Sequence, residues 1–246
     1  MNRETHTAPI LDLERITYQY PGQENNAIDA LDLKFFSGDR IGIVAPNGSG
    51  KTTLFHIIMG LIKPDAGRIR IFGKTVSTEK DFLAVRRKIG LLFQDADDQL
   101  FCPTVLEDVA FGPLNLGKTP DEARKIALRT LLSLGMDGFE DRITFKLSGG
   151  EKRMVSLATV LSMEPEVLLL DEPTTGLDAK TKSKLVDVLN RLDMSYIVIS
   201  HEFDFITAIT ESIYSMEGGK ILTDEELHIH HHHHVHKHGK RPHKHE

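Results

Sequence analysis

Ala45-Pro-Asn-Gly-Ser-Gly-Lys-Thr52 is a glycine-rich turn ending on a lysine and a hydroxyl residue. In such a turn successive backbone N–H groups point inward at a helix N-terminus and form an anion nest suited to a polyphosphate. Gly48 and Gly50 let the backbone come close, Lys51 would reach the β- and γ-phosphates, and Thr52 would ligate Mg2+. Asn47, Ser49 and Thr53 supply the rest of the nest. Ala45 stands where such loops usually begin with glycine, but the nest N–H groups lie at 47–53, so alanine is compatible. Farther on, Val167-Leu-Leu-Leu-Asp-Glu-Pro173 is an apolar run ending in two carboxylates. Asp171 has the place of a Mg2+-water ligand, and Glu172 beside it is a candidate general base for an attacking water. In α/β sheets ligands bind at the carboxyl ends of strands; a solvated turn pair is the plainer alternative. Between these two segments lies Leu147-Ser-Gly-Gly-Glu151. Ser148 and Glu151 form a capping box for a following helix, and Gly149 and Gly150 expose N–H groups at its start, a second place where phosphate fits.

The elements that must position these residues follow from periodicity. Residues 10–45 read as a β-rich opening closed by the short buried strand Ile41 to Ala45. A helix is expected over Thr52 to Leu61, ended by Lys63 to Gly67, then strands at Ile69 to Gly73 and Lys88 to Gln94. Thr119-Pro-Asp-Glu122 is a capping box with proline at the first helical position. Ala123, Ile126, Ala127, Leu131 and Leu134 follow at helical spacing before Gly135, so 95–147 reads as a helical insert between core strands. The remainder alternates: helix 148–162, strand 167–170, helix 179–192, strand 196–200 and a β pair near 213–222. Alternation of this kind predicts a mostly parallel sheet.

Leu147 to Glu151, followed twenty residues later by the apolar strand ending in Asp-Glu, and preceded by the phosphate loop, resembles the ATP-binding-cassette ATPases. The resemblance spans residues 10–222. It implies an α/β fold: a RecA-like P-loop core, an antiparallel β subdomain and a helical subdomain at about 95–162, within a domain of 1–227. It implies ATP and Mg2+ as cofactors and a dimer, of identical chains or with a paralogous ATPase, in which Ser148, Gly149 and Gly150 meet the γ-phosphate held by the opposite protomer. By the same resemblance Gln94 is the glutamine that senses Mg2+ and water. Asp178, in Thr-Gly-Leu-Asp, belongs to a loop crossing the dimer interface, and His201 is the switch histidine on the γ-phosphate. Tyr20 is the aromatic that stacks on adenine, with Tyr18 expected on the same strand face. His56 and Cys102 read as packing or surface residues. A narrower resemblance lies in Phe93-Gln-Asp-Ala-Asp-Asp-Gln-Leu-Phe101, Thr104-Val105 and Glu107 to Gly117. These match the ATPase component of energy-coupling-factor importers, nearest the cobalt/nickel branch, although Ala96 replaces a usual proline. That match implies a transmembrane coupling protein docking near 94–117 and a substrate-binding membrane protein. The C-terminal extension that many of these ATPases carry is expected to be absent or very short after Gly219.

Composition sets the remaining bounds. The 246 residues carry a formal charge of −6, and the last nineteen hold four basic residues and one acid, so the rest stands near −9. An acidic body argues against a nucleic-acid partner. A single cysteine, the lack of a signal-type apolar core at the N-terminus and of any run near 20 apolar residues point to a cytoplasmic chain; the resemblance implies that it binds peripherally at the cytoplasmic face of a membrane, through a partner. The segment 228–246 reads as a disordered tail whose His228, His230, His231, His232, His233, His234, His236, His238, His243 and His245 would bind Ni2+ or Co2+. An expression tag would be a more uniform run. The resulting expectation is an importer ATPase for nickel or cobalt. Its competitors are a His-rich nickel metallochaperone NTPase, which would need the absent Asn-Lys-x-Asp guanine motif, an energy-coupling-factor ATPase for another micronutrient, and a repair or translation cassette, which would bring coiled coils or a second cassette.

Overall fold

The computed structural model describes residues 8–222. In chain order the strands are β1 Leu11–Tyr18, β2 Ile28–Phe35, β3 Arg40–Val44, β4 Ala66–Ile71, β5 Lys74–Thr75, β6 Ile89–Leu92, β7 Val167–Asp171, β8 Ser195–Ser200, β9 Ser212–Glu217 and β10 Lys220–Leu222. The helices are α1 Lys51–Ile58, α2 Glu79–Arg86, α3 Val105–Asn115, α4 Pro120–Ser133, α5 Gly149–Leu161, α6 Ala179–Arg191 and α7 Phe203–Ile209.

Two sheets result. The strands β2-β1-β4-β5 form an antiparallel sheet, and β10-β9-β3-β8-β7-β6 form a six-stranded sheet. In the latter β9, β3, β8, β7 and β6 run parallel and only β10 is antiparallel. The sequence states the reason. β6, β7 and β8 are buried at every position, as a parallel strand covered on both faces must be, whereas β2 alternates between buried and partly or fully exposed positions.

Strand pleating divides the interior. Val167, Leu169, Ile197 and Ile199 pack with the antiparallel sheet and α1 in one apolar cluster. Leu168, Leu170, Tyr196 and Val198, the alternate positions, pack with α3 to α7 in the other. A fully buried Leu or Ile contributes roughly 1.5–3 kcal/mol, so a one-residue slip in β7 would exchange two apolar faces at large cost.

The expected elements are present, with shifted bounds and three additions. The helix after the phosphate loop stops at Ile58, short of Leu61: Gly60 follows at φ 69, and a side chain there would collide with the Phe82 ring at 2.2 Å. Tyr20 lies beyond the end of β1, just before Pro21, and does not share a strand face with Tyr18. Helices α2 and α7 and the short strand β5 were not expected, whereas α3 lies in the helical insert expected over 95–147; α2 and α3 begin with capping boxes, Thr78 with Asp81 and Thr104 with Glu107.

Candidate nucleotide site

Four neighbouring parallel strands deliver the reactive groups at their carboxyl ends. β3 runs into the phosphate loop and α1, β8 into His201, β7 into Asp171 and Glu172, and β6 into Gln94. Residues far apart in sequence thereby converge, because neighbouring parallel strands end side by side.

At the centre is a buried polar knot. Lys51 Nζ donates to Glu172 Oε1 at 2.8 Å and to the Ala45 carbonyl at 3.2 Å. Glu172 Oε2 lies 2.9 Å from His201 Nδ1 and accepts from the His201 backbone N–H at 3.4 Å. Thr52 Oγ1 donates to Asp171 Oδ2 at 2.8 Å, while Asp171 Oδ1 is buried without a partner among the described residues. Lys51, Asp171 and Glu172 are 8%, 3% and 2% exposed, and His201 opens to solvent. Glu172 holds φ at 44°, an uncommon backbone for a residue with a side chain. Burial pushes the Asp171 carboxyl above the ordinary range, against the opposing pull of Thr52 and Lys51.

The groups fit the ligands the motif implies. Asp171 pairs one oxygen with a hydroxyl and leaves the other unsatisfied, the deficit that a divalent cation would meet. Gly50 is the N-cap of α1 at φ 99, with no side-chain cap and no acidic residue in the first turn. The N–H groups of Lys51, Thr52 and Thr53 therefore have no intrahelical acceptor and face an anion-sized space. That space, about 410 Å³, is lined by Tyr20, Asn47, Gly48, Thr52, Thr53 and Gln94 among others. Tyr20 Oη sits 3.0 Å from Thr53 Oγ1. Ser49 is buried in the loop with its hydroxyl unpartnered.

A second cavity, about 560 Å³, adjoins the first through Thr52 and Gln94 and is bounded by Asp171, His56, Gly149 and Arg153 among others. Its far wall is the start of α5. Ser148 Oγ donates to Glu151 Oε2 at 2.8 Å and accepts from the Glu151 N–H at 3.4 Å. Gly149 is exposed, and Gly150 lies close to Thr181 at the start of α6, which Asp178 caps at 2.7 Å. Among the described residues no hydrogen bond joins Ser148, Gly149, Gly150 or Asp178 to the phosphate loop. The site therefore falls into a joined group (Lys51, Thr52, Asp171, Glu172, His201), a lining group (Tyr20, Asn47, Gly48, Thr53, Gln94) and a group standing apart. The ten tail histidines lie outside the described residues. Cys102 is half-buried, its thiol pushed up to about 11 by burial, so it offers no nucleophile.

Sequence reasoning missed two side chains. Arg153, in α5, donates to the carbonyls of Phe93, at 2.5 Å, and Gln94. Gln99 is not a free loop residue: its Nε2 reaches the Ser156 carbonyl at 3.0 Å and Thr159 Oγ1 at 2.8 Å. Neither contact with or from α5 has a local signal, since the partners there are more than fifty residues apart in the chain.

Comparison with known proteins agrees with this geometry. Residues 28–175 match the family model described as ABC transporter. A putative ABC transporter ATP-binding protein of Nitratidesulfovibrio vulgaris is 50% identical over 220 residues, 89% of this chain and 81% of the relative. The energy-coupling factor transporter ATP-binding protein EcfA of Methanocaldococcus jannaschii is 40% identical over 87% of this chain and 78% of its own. Among solved structures, cbiO1 of Clostridium perfringens, part of the ABC transporter complex cbiONQ, superposes with a TM-score of 0.78 at 35% identity over 87% of both chains. A dimeric ATP-binding cassette bound to ADP and Pi in a post-hydrolysis state also gives 0.78, at 29% identity, covering 86% of this chain and 96% of the other. The chain belongs to the ABC transporter family as one of its Mg2+-dependent ATP-hydrolysing cassettes, of the energy-coupling-factor type.

Proposed function

We propose that this chain is the ATPase subunit of an energy-coupling-factor importer for a transition-metal ion, nickel or cobalt, working as a nucleotide-sandwich dimer on the cytoplasmic face of a membrane. Each composite site uses Lys51, Thr52, Asp171, Glu172, Gln94 and His201 of one chain, with Tyr20 on adenine, and Ser148 to Gly150 of the other. Thr52, Asp171 and Gln94 would hold Mg2+, which supplies charge neutralisation for the phosphates. Glu172 takes the proton of the attacking water. His201 and Lys51, both hydrogen-bonded to Glu172 here, hold the γ-phosphate, so nucleotide entry exchanges one anion for another at Lys51. Asp178 carries the interface loop.

The observation that carries the dimer is the group standing apart: the α5 N-terminus, aimed at solvent, has no phosphate loop of its own chain within hydrogen-bonding reach. Support for a membrane partner comes from a groove of about 260 Å³ beside Gln99, ringed by the exposed Leu61, Phe101 and Phe111, within and beside the stretch 93–117. No helix among the described residues is long and apolar enough to cross a membrane, so translocation is assigned to that partner and to a substrate-binding membrane protein. We assign the ATPase domain to 1–227, with its helical subdomain at about 95–162, and a metal-binding role to the tail 228–246.

Co-expression with the neighbouring membrane genes and radiolabelled Ni2+ and Co2+ uptake is the test. Substitution of the exposed Asp97 and Asp98 should lower uptake more than basal hydrolysis; equal losses would sink the docking role. Removing 228–246 should leave hydrolysis intact and abolish most Ni2+ binding by calorimetry, binding that weakens as pH falls through about 6.5. Unchanged metal binding, or uptake of a different micronutrient only, would defeat the metal assignment.

A further inference from the structure

Helix α5 carries two things at once: Ser148, Gly149 and Gly150 at its start and, five residues after Ser148, the guanidinium of Arg153. Arg153 is 4% exposed and points back across the domain. Its Nη1 donates to the Phe93 carbonyl at 2.5 Å and its Nη2 to the Gln94 carbonyl. No carboxylate among the described residues forms an ion pair with it; burial depresses its pKa, with Asp95 and Asp171 acting at longer range to favour the cation. A buried guanidinium spent on two backbone carbonyls is an expensive way to pack a loop. A planar fork serves two successive carbonyls from two fixed nitrogens, a spread that the single nitrogen of a lysine does not reproduce.

The attachment is reinforced from the loop side. Gln99 Oε1 accepts the Phe93 N–H at 3.3 Å, and its Nε2 donates to Ser156 O and Thr159 Oγ1 of α5. Phe93 is thus tied to a single helix at its carbonyl directly and at its N–H by way of Gln99, and Gln94 is tied to the same helix at its carbonyl. Gln94 is otherwise exposed, at the junction of the two cavities, and among the described residues no side-chain hydrogen bond of its own fixes it. Its position is therefore set through α5. At about 1.5 Å rise per residue, Arg153 lies only about 7–8 Å along the axis from the Ser148 cap. Within that distance a helix behaves as a rigid rod.

We propose that Arg153 is a positioning residue: it locks the backbone of Phe93 and Gln94 to α5, so that the glutamine facing one nucleotide and the Ser148 end facing the other move as one body. The inference rests on the composite-site reading above. It makes ATP at one site felt at the other, through a rigid element instead of through the β-sheet.

The test uses full-length protein and compares Arg153→Met, Arg153→Lys, Gln94→Ala and the Arg153→Met/Gln94→Ala pair. Arg153→Met should lower kcat about tenfold or more while the affinity for a fluorescent ATP analogue stays within about twofold, and the Hill coefficient for ATP should fall toward one. Arg153→Lys, which keeps the charge and loses the fork, should fall between. If Arg153 acts through Gln94, the pair should be no worse than about twofold below Gln94→Ala alone. Wild-type kcat and cooperativity in Arg153→Lys and Arg153→Met, or losses that multiply in the pair, would overturn the proposal while leaving the composite site standing. Should Arg153→Met fail to fold by circular dichroism, the Arg153→Lys pair with Gln94→Ala decides by the same criterion. Wild-type turnover in Gln94→Ala alone would instead remove the site reading, and this inference with it.

Discussion

Helices α1 and α5 start alike and finish differently. Both begin at glycine-bearing turns: the α1 start lines the first cavity and reaches the second through Thr52, while the α5 start lines the second alone. The α1 end is bare: Gly50 caps it with backbone alone, and the first turn holds no acid. The α5 end is capped before any ligand arrives, with Ser148 and Glu151 satisfying each other and Glu151 further paired with Arg142 at 2.9 Å, so that only the Gly149 and Gly150 N–H groups have no acceptor among the described residues. A bare, positively polarised end with a buried lysine beside it is an anion site by itself. A capped end carrying a glutamate is not, because its strongest donors are in use and the carboxylate repels phosphate. It can only add contacts to a phosphate that something else already holds. The contrast therefore separates a resident site from an auxiliary one, and it is the physical ground for giving the α5 end to a second chain.

Four experiments would break or sharpen that contrast. The largest effect is expected from Glu172→Gln. The Lys51–Glu172 pair fills the bare end now, so removing its negative charge should leave ATP binding as tight or tighter while hydrolysis drops by about 10²–10⁴. Trapped dimers should then elute in size exclusion with ATP. Weaker ATP binding by filter assay would mean that the pair organises the site instead of standing in for phosphate.

Next come two glycines. A methyl on Gly50 would meet the Ala27 carbonyl at 2.2 Å in a backbone at φ 99, whereas a methyl on Gly149 meets nothing within 4 Å. Gly50→Ala should destabilise by about 2–3 kcal/mol and lose nucleotide binding. Gly149→Ala should melt at or above the wild-type temperature and bind ATP normally, yet turn over about tenfold more slowly, since only an approaching second chain is obstructed. If both variants bound ATP poorly in isolated chains, α5 would belong to the resident site.

Smaller still is the cap itself. Ser148→Ala and Thr119→Ala each remove a capping hydroxyl and should each cost about 1 kcal/mol by thermal denaturation. Only Ser148→Ala should also slow hydrolysis. Matching losses of activity in both would reduce Ser148 to a cap.

Acid provides the finest discrimination. Backbone N–H donation from Ser148 holds the Glu151 carboxyl below its ordinary range, and Thr181 does the same for Asp178. Folded values below unfolded ones mean stabilisation that is complete at neutral pH and fades as pH falls through about 4 toward the folded values. Asp171 runs the other way: burial raises it, so its charged form costs stability at neutral pH and acid relieves that cost. Urea midpoints should decline between about pH 5 and 3, less steeply in Ser148→Ala, with Asp171→Asn partly offsetting the neutral-pH penalty. A steeper decline in Ser148→Ala would show that the cap does not set the Glu151 pKa.

Most of what acts over a few residues was readable in the chain, the equally local Thr78 and Thr104 boxes excepted. The phosphate loop, the apolar β7 ending in Asp171 and Glu172, and the Thr119 and Ser148 boxes each signal through neighbours three or four positions away. Helix α3 was readable only as part of the helical insert and without bounds: Gly112 and Pro113 interrupt its sequence, and packing supplies what propensity lacks, with Gly112 fitted against Met163. Only tertiary structure decided the rest. Lys51 meets Glu172 across 121 residues, Thr52 meets Asp171 across 119, and Arg153 meets Phe93 across 60. Sequence determined the types of groups and the strand ends on which they sit. Which of them touch depended on the order β3-β8-β7-β6, and strand order is fixed by the burial of two apolar faces over the whole sheet, a property no short segment carries.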